Sequence, residues 1–247
     1  MFGRYAFPPN ERGYCGPDRA DELLERVANG SSGPVLASLA RGFEGAWPYL
    51  ELIGECLGRG TLDPVVVRTY WLGGPELSRC GGRPFVGSLE TRFRSRLSRL
   101  EFERLAAAVV MGATPHHNFH VFGVYPWVGL MRGGMGDVPL QVLDRCRIRW
   151  GRVAEIHGDT AVVSSRPLTW DGHRLALGPA TPETARLRRN GRALTHAVRP
   201  GDWVSLHWDW VCDRLGPTEL AHLRRSTAIE LAAVSGCAFS APTTVLA

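Results

Sequence analysis

Histidines cluster in one short stretch of the chain. His116, His117 and His120 lie within five residues of one another. Residues four apart share a face of an α-helix, so His116 and His120 form a pair of the kind that often binds a metal ion. No glutamate stands between them at the spacing that zinc proteases use, which argues against a metalloprotease. Histidines that cap a helix and pack against aromatic neighbours are the alternative explanation.

The six cysteines are scattered along the chain and include no C-x-x-C pair. The first residues contain no apolar stretch followed by a small-residue cleavage site, so we expect a cytoplasmic protein. In that reducing compartment, cysteines are thiols or metal ligands more often than disulfides. Cys15 is one such candidate, with packing in the core as the alternative.

The secondary structure that must position these residues is predicted to change near residue 140, from helices to strands. We predict a helical domain at 1–139 and a second domain at 140–247. Asp18 or Asp21 is expected to cap a helix that ends at Asn29-Gly30, and Asp63-Pro64 begins another. Residues 88–112 predict one amphipathic helix, or two with a break. The opening arm is expected to cross the helical domain, with Pro8-Pro9 keeping it extended.

After residue 143 the apolar residues alternate with the period of a strand. Short strands are predicted at 147–156, 159–165, 173–177 and 202–211, with a turn at His157-Gly158-Asp159. The polar connection between residues 178 and 202 is expected to be partly irregular. A final helix begins at Pro217 and ends at Gly236. The predicted fold class is therefore α+β, a helical domain followed by a small OB-like β-barrel with a C-terminal helix.

Composition excludes several classes of function. The chain carries a formal net charge of +5, and all 29 basic residues are arginine. The absence of lysine rules out Schiff-base chemistry on this chain. The sequence has no P-loop, no nucleophile elbow and no dinucleotide-binding glycine motif. It also has no apolar run approaching the roughly 20 residues that span a bilayer, so we expect no membrane partner.

The segment from residue 144 to 235 has Cys146 near its start, then a turn at Gly158-Asp159, and later a strand with Gly201, Asp202 and His207. In these positions it resembles the HypC/HupF family of hydrogenase-maturation chaperones. That family opens with a C-x-x-x-P-G-x-V pattern, continues through a G-(D/N)-x-A turn, and later has a V-G-D-x-V-x-x-H strand. The resemblance covers under half of the chain and rests on several positions in the correct order. The matching residues are Cys146, Gly151, Val153, Gly158, Asp159, Ala161, Gly201, Asp202, Val204, His207 and Val211.

The resemblance implies a five-stranded OB-like barrel that carries the iron–dicyanide–carbonyl group of a nickel–iron hydrogenase during assembly. It makes Cys146 and His207 the functional pair and predicted metal ligands. Low-spin iron with cyanide and carbonyl ligands favours a soft thiolate and accepts a neutral imidazole. Arg145, Arg147 and Arg149 are expected to lower the pKa of the Cys146 thiol.

The leading hypothesis is an accessory carrier, not an enzyme. Its cargo would be the transient iron group, and its partners the hydrogenase large subunit or other maturation proteins. One alternative is a basic OB-fold protein whose exposed aromatic and arginine side chains bind nucleic acid, although the arginines form no block. The other is a metal-dependent enzyme that uses the N-terminal histidines, with His116 and His120 as secondary candidate ligands, together with Cys15.

Overall fold

The computed structural model describes residues 1–93, 95, 97–124, 131 and 137–236. The protein is mixed α+β, with about 50% helix and 19% strand. Helices occupy the N-terminal part and strands follow them, and a long helix comes last. This arrangement confirms the α+β class and the order of its parts.

The helices are α1 Phe2–Glu11, α2 Ala20–Ala28, α3 Pro34–Arg41, α4 Trp47–Leu57, α5 Pro64–Leu72, α6 Leu77–Cys80, α7 Arg83–Phe93, α8 Arg99–Val110, α9 His117–Phe119, α10 Asp137–Cys146 and α11 Pro217–Gly236, with a π-helical turn at His120–Val124. Asp63 caps α5 as predicted, because its side chain accepts the N–H of Val65. The predicted cap of α2 is wrong, since Arg19 occupies that position and makes no side-chain cap. The segment after residue 88 contains a break, and Ser98 begins α8 with a capping box.

The opening arm is a helix, which corrects the prediction of an extended chain. α1 contains both Pro8 and Pro9 in its interior, where proline normally disfavours a helix. Burial of its aromatic side chains compensates, since Tyr5 and Phe7 are fully buried. The arm packs on the strands as well as on the helices. The Phe7 ring contacts the ring of Trp210 edge-on.

The strands are β1 Arg149–His157, β2 Thr160–Ser165, β3 Leu168–Trp170, β4 Leu175–Leu177, β5 Thr181–Arg186, β6 Arg188–Arg189, β7 Arg192–Ala193, β8 Trp203–His207 and β9 Trp210–Arg214. The turn at Gly158 is confirmed, with φ of 59° joining β1 to β2. The strand predicted at 202–211 is a hairpin, β8 and β9. The connection between residues 178 and 202 is partly irregular, as predicted, but it also contains β5, which pairs along its whole length with β2.

Pairings in the main sheet follow the order β1-β2-β5-β9-β8, and β8 pairs back with β1. β5 and β9 are joined by a single parallel pair, Arg186 with Trp210. The buried side chains of these strands form their own small apolar core: Val153, Ala161, Val163, Ala185, Val204, Leu206 and Val211.

The largest apolar core draws on both parts of the chain. It contains Tyr70 and Trp71 from α5 together with Trp150 and Trp210 from the strands. The division at residues 139 and 140 stays a prediction, although the two parts share this core. Within the described residues, no helix combines the length and apolar character that crossing a membrane requires.

Candidate metal centre

His117, Cys146 and His207 meet where the helical part packs against the sheet. One ligand atom from each residue lies within 4.8 Å of the other two. His117 is the first residue of α9, Cys146 the last of α10, and His207 the last of β8. Residues far apart in sequence therefore converge on one point, and each is held by a regular element. Cys146 and His207, the pair implied by the resemblance, are both in this group.

His207 presents a bare nitrogen to the group. The residue is fully buried, and its ring Nδ1 donates to the Tyr5 carbonyl oxygen at 2.6 Å. Its Nε2 is buried and has no hydrogen-bond partner within the described structure. Burial holds the pKa of His207 well below its usual value, so the ring is neutral at pH 7. A neutral imidazole with a free Nε2 lone pair is the form that binds metal ions.

His117 is tied to the same place by two contacts. Its Nε2 lies 2.9 Å from the Cys146 carbonyl oxygen and must donate, because a carbonyl only accepts. Its Nδ1 then accepts from the Tyr70 hydroxyl at 3.2 Å. Burial lowers the pKa of His117 to about 4, so this ring is also neutral at pH 7. A metal at Nδ1 would replace the Tyr70 hydroxyl as its partner.

Cys146 supplies the sulfur, but its arginine neighbours do not activate it as predicted. Burial raises the pKa of the Cys146 thiol, and the nearby Cys15 raises it further. The guanidinium groups are committed elsewhere: Arg145 and Arg149 pair with Glu183, and Arg147 pairs with Asp144. The free thiol is therefore protonated at pH 7, and a bound cation would have to displace its proton.

The group opens onto a small cavity of about 70 Å³. Its wall includes Cys15, Trp71 and His120 as well as the three clustered residues. Tyr14 and Trp208 also line it, and their rings stack with centroids 4.4 Å apart. The cavity has room for a few small atoms beyond the ligands themselves.

The turn that follows His207 is held in an unusual conformation. Trp208 has φ of 53°, in the left-handed region that bulky residues rarely enter. Its N–H donates to the Arg145 carbonyl at 2.7 Å, and its own carbonyl accepts from Arg149 at 2.6 Å. Such strain persists only where the surroundings enforce it, and here these two hydrogen bonds hold the residue that directly follows His207.

The secondary candidates His116 and His120 do not join this group. His116 is the N-cap of α9 in extended conformation, and its Nδ1 accepts the N–H of Asn118. His120 begins the π-helical turn, lines the cavity, and lies 3.3 Å from the Tyr49 hydroxyl through Nδ1. The predicted pair on one helical face is wrong, because no regular helix runs through both residues.

Sequence reasoning missed the member that lies between them. His117 does not fit the four-residue spacing of His116 and His120, since it stands one residue from the first and three from the second. The available signal was the density of histidines itself. Its place in the cluster depends on Cys146, which approaches only in the folded chain.

The aromatic residues of the nucleic-acid alternative are largely inside the protein. Trp150, Trp208 and Trp210 expose 7%, 6% and 0% of their surface. Arg186 stacks over Trp210 and forms ion pairs with Glu11 and Asp209. These side chains therefore do not form the exposed stacking platform that single-strand binding requires.

Comparison with known proteins gives a family but no function. No curated protein and no solved structure matches the chain significantly. One family profile matches residues 1–241, which spans the helical part and the strands together. The chain thus belongs to the family described as "Family of unknown function (DUF6390)".

Proposed function

We propose that this protein is a carrier of a transition-metal ion, held by His117, Cys146 and His207. The observation that carries the proposal is the convergence of one sulfur and two imidazoles within 4.8 Å. Both imidazoles are neutral at pH 7, and one offers a nitrogen with no other partner within the described structure. This ligand set favours iron, copper or zinc over magnesium or calcium, which prefer oxygen ligands.

The number of ligands suits a cargo that must leave again. Three protein ligands leave coordination positions open, whereas permanent structural sites close all four. A six-coordinate iron with two cyanides and one carbonyl has three positions left for the protein. The three clustered residues match that number. We therefore propose that the cargo is the iron–dicyanide–carbonyl group, as the resemblance of residues 144–235 to the HypC/HupF family implies.

The proposal includes an OB-like barrel as the scaffold. The cyclic order of pairings and the small apolar core inside the strands support this interpretation. In this view the barrel supplies His207 and the helical part supplies His117. The partners would be the hydrogenase large subunit or other maturation proteins, which receive or load the iron group.

The test replaces the two residues implied by the resemblance and measures hydrogenase maturation in the host. Cys146→Ser and His207→Gln are expected to abolish nickel–iron hydrogenase activity while the variant proteins still accumulate. Cys56→Ser and His157→Gln are matched controls, since neither residue belongs to the cluster. Normal hydrogenase activity in the Cys146 and His207 variants would refute the role in maturation.

A second measurement follows the cargo directly. The protein is purified without oxygen from cells that express the whole maturation pathway. Infrared absorption of the purified protein is expected to show cyanide and carbonyl stretching bands that disappear in Cys146→Ser. If the wild-type protein instead holds zinc permanently and shows no such bands, the site is a resident metal centre and the carrier proposal is wrong.

A further inference from the structure

Cys15 brings a second thiol to the same cavity. It lies in the connection between α1 and α2 and lines the cavity beside Cys146, His117 and His207. Cys15 is not a member of the group whose ligand atoms lie within 4.8 Å of one another.

The backbone around Cys15 is held in place. The Asn10 side-chain amide donates to the carbonyl oxygens of Cys15 and Pro17, at 2.8 and 2.7 Å. Gly16 has φ of 84° and lies against Phe43 so closely that any side chain there would collide with the ring. This connection is thus a built structure, and it directs residue 15 toward the cavity.

Cys15 and Cys146 line the same cavity of about 70 Å³. Burial raises the pKa of each thiol, so both sulfurs are protonated before a cation binds.

Charge gives the physical reason for a second sulfur. One thiolate and two imidazoles leave a divalent cation with a net charge of +1 inside the protein. A second thiolate makes the bound centre neutral, which removes the large cost of a buried net charge.

We propose that Cys15 is the fourth protein ligand of a bare divalent cation at this site, which makes it a two-cysteine, two-histidine site. The proposal rests on the carrier function above. It concerns the ion in the state without cyanide and carbonyl, either before these ligands are attached or after they have left. A four-coordinate ion uses all four residues, whereas iron with three diatomic ligands has room for three of them. Loading is then M²⁺ + 2 RSH → M(SR)₂ + 2 H⁺, with both protons released to solvent and no change in oxidation state.

The test counts sulfur ligands on the reduced, full-length protein loaded with Zn²⁺. X-ray absorption of the wild type is expected to show two sulfurs at about 2.3 Å and two nitrogens at about 2.0–2.1 Å. Cys15→Ser is expected to show one sulfur and to bind Zn²⁺ at least 10-fold more weakly. Cys56→Ser, a partly buried cysteine outside the cavity, is the matched control and is expected to bind as the wild type does.

The outcomes separate this proposal from the carrier function. One sulfur in the wild type, with Cys15→Ser unchanged and Cys146→Ser inactive in binding, overturns the role of Cys15 alone. No binding of Zn²⁺, Co²⁺ or Fe²⁺ by the wild type overturns both. Because the sulfur count is made on the wild type, the test stands even if Cys15→Ser does not fold.

Discussion

The imidazole of His207 and the main-chain carbonyl of Tyr5 form a hydrogen bond of 2.6 Å between β8 and α1. In a regular helix the Tyr5 carbonyl would accept the N–H of residue 9. That residue is Pro9, which has no N–H, so the carbonyl is left free for His207. The bond to this carbonyl places the proton of the neutral His207 ring on Nδ1.

Restoring the missing donor should weaken the site. In Pro9→Ala, the new N–H of residue 9 competes with His207 for the Tyr5 carbonyl. We expect Zn²⁺ affinity to fall about 10- to 100-fold, the usual effect of losing a hydrogen bond that orients a ligand. Competition with a chelator measures the affinity, and nitrogen NMR of the imidazole reports the tautomer.

Pro8→Ala is the matched control for this experiment. Its new N–H points to the Arg4 carbonyl, which His207 does not use. We expect its affinity to stay near that of the wild type. Equal losses in the two variants would mean that the prolines act through the stability of α1 and not through His207.

The number of protons released when the metal binds should equal the number of thiols that become ligands. The pKa of Cys15 is raised to about 12 and that of Cys146 is also raised, while the pKa values of His117 and His207 are lowered. Between pH 6 and 8 both thiols are protonated and both imidazoles are neutral. The logarithm of the association constant should then rise by about two per pH unit in the wild type.

Calorimetry in buffers of different ionisation enthalpy measures this release. We expect about two protons per Zn²⁺ in the wild type and about one in either Cys15→Ser or Cys146→Ser. A release of one proton in the wild type and none in Cys146→Ser would mean that Cys146 is the one thiol that loses its proton, and that Cys15 does not bind the metal.

The buried carboxyl group of Glu230 should make the protein less stable as the pH rises. Glu230 is fully buried on α11, and its Oε1 accepts from both the N–H and the hydroxyl of Thr114. Burial raises its pKa to about 8. Between the unfolded pKa near 4.5 and the folded value near 8, the folded state holds a proton that the unfolded state has lost. The Glu230 contribution to the free energy of unfolding therefore falls by about 1.4 kcal/mol per pH unit across this range.

Glu230→Gln isolates this contribution because glutamine keeps the oxygen that accepts from Thr114 and cannot ionise. Urea denaturation at pH 5, 6.5 and 8 measures the free energy of unfolding. The difference between the variant and the wild type should shift in favour of the variant as the pH increases. The measurement at pH 5 is the internal control, since the folded wild type is neutral at this residue there. A constant difference at all three pH values would contradict the raised pKa.

The sequence predicts local structure well where a chemical rule acts within a few residues. Asp63-Pro64 begins α5, and Gly158 makes the β1–β2 turn, because capping and left-handed backbone are local requirements. α1 escaped prediction because tertiary packing of Tyr5 and Phe7 outweighs the local effect of two prolines.

The candidate site shows the same contrast between local rules, which the sequence reveals, and tertiary contacts, which it does not. Cys146 and His207 were predicted from a resemblance, and they lie together in the folded chain. His117 was missed because the spacing rule assumes a continuous helix, whereas α9 has three residues and ends in a π-helical turn. The pKa of Cys146 was predicted in the wrong direction, because proximity in sequence did not reveal that its arginine neighbours pair with Asp144 and Glu183.

Tyr14 lines the cavity, and its removal should speed the exchange of metal. Its ring stacks on Trp208 at 4.4 Å and 23°, and the guanidinium of Arg12 lies 5.3 Å from the same indole. Tyr14 is 53% exposed, so it forms the outer layer of this stack. An aromatic pair contributes about 0.5–1.5 kcal/mol. Tyr14→Ala should therefore raise both the association and dissociation rates of Zn²⁺ by about 2- to 12-fold, with a smaller change in Kd.

Stopped-flow transfer of Zn²⁺ to a coloured chelator measures both rates, and Tyr14→Phe is the control that keeps the ring. The two rates must rise together if the stack acts as a cover, because an open mouth eases entry and exit equally. A rise in Kd with an unchanged association rate would show instead that Tyr14 holds the neighbouring Cys15 in place, and the cover would be excluded.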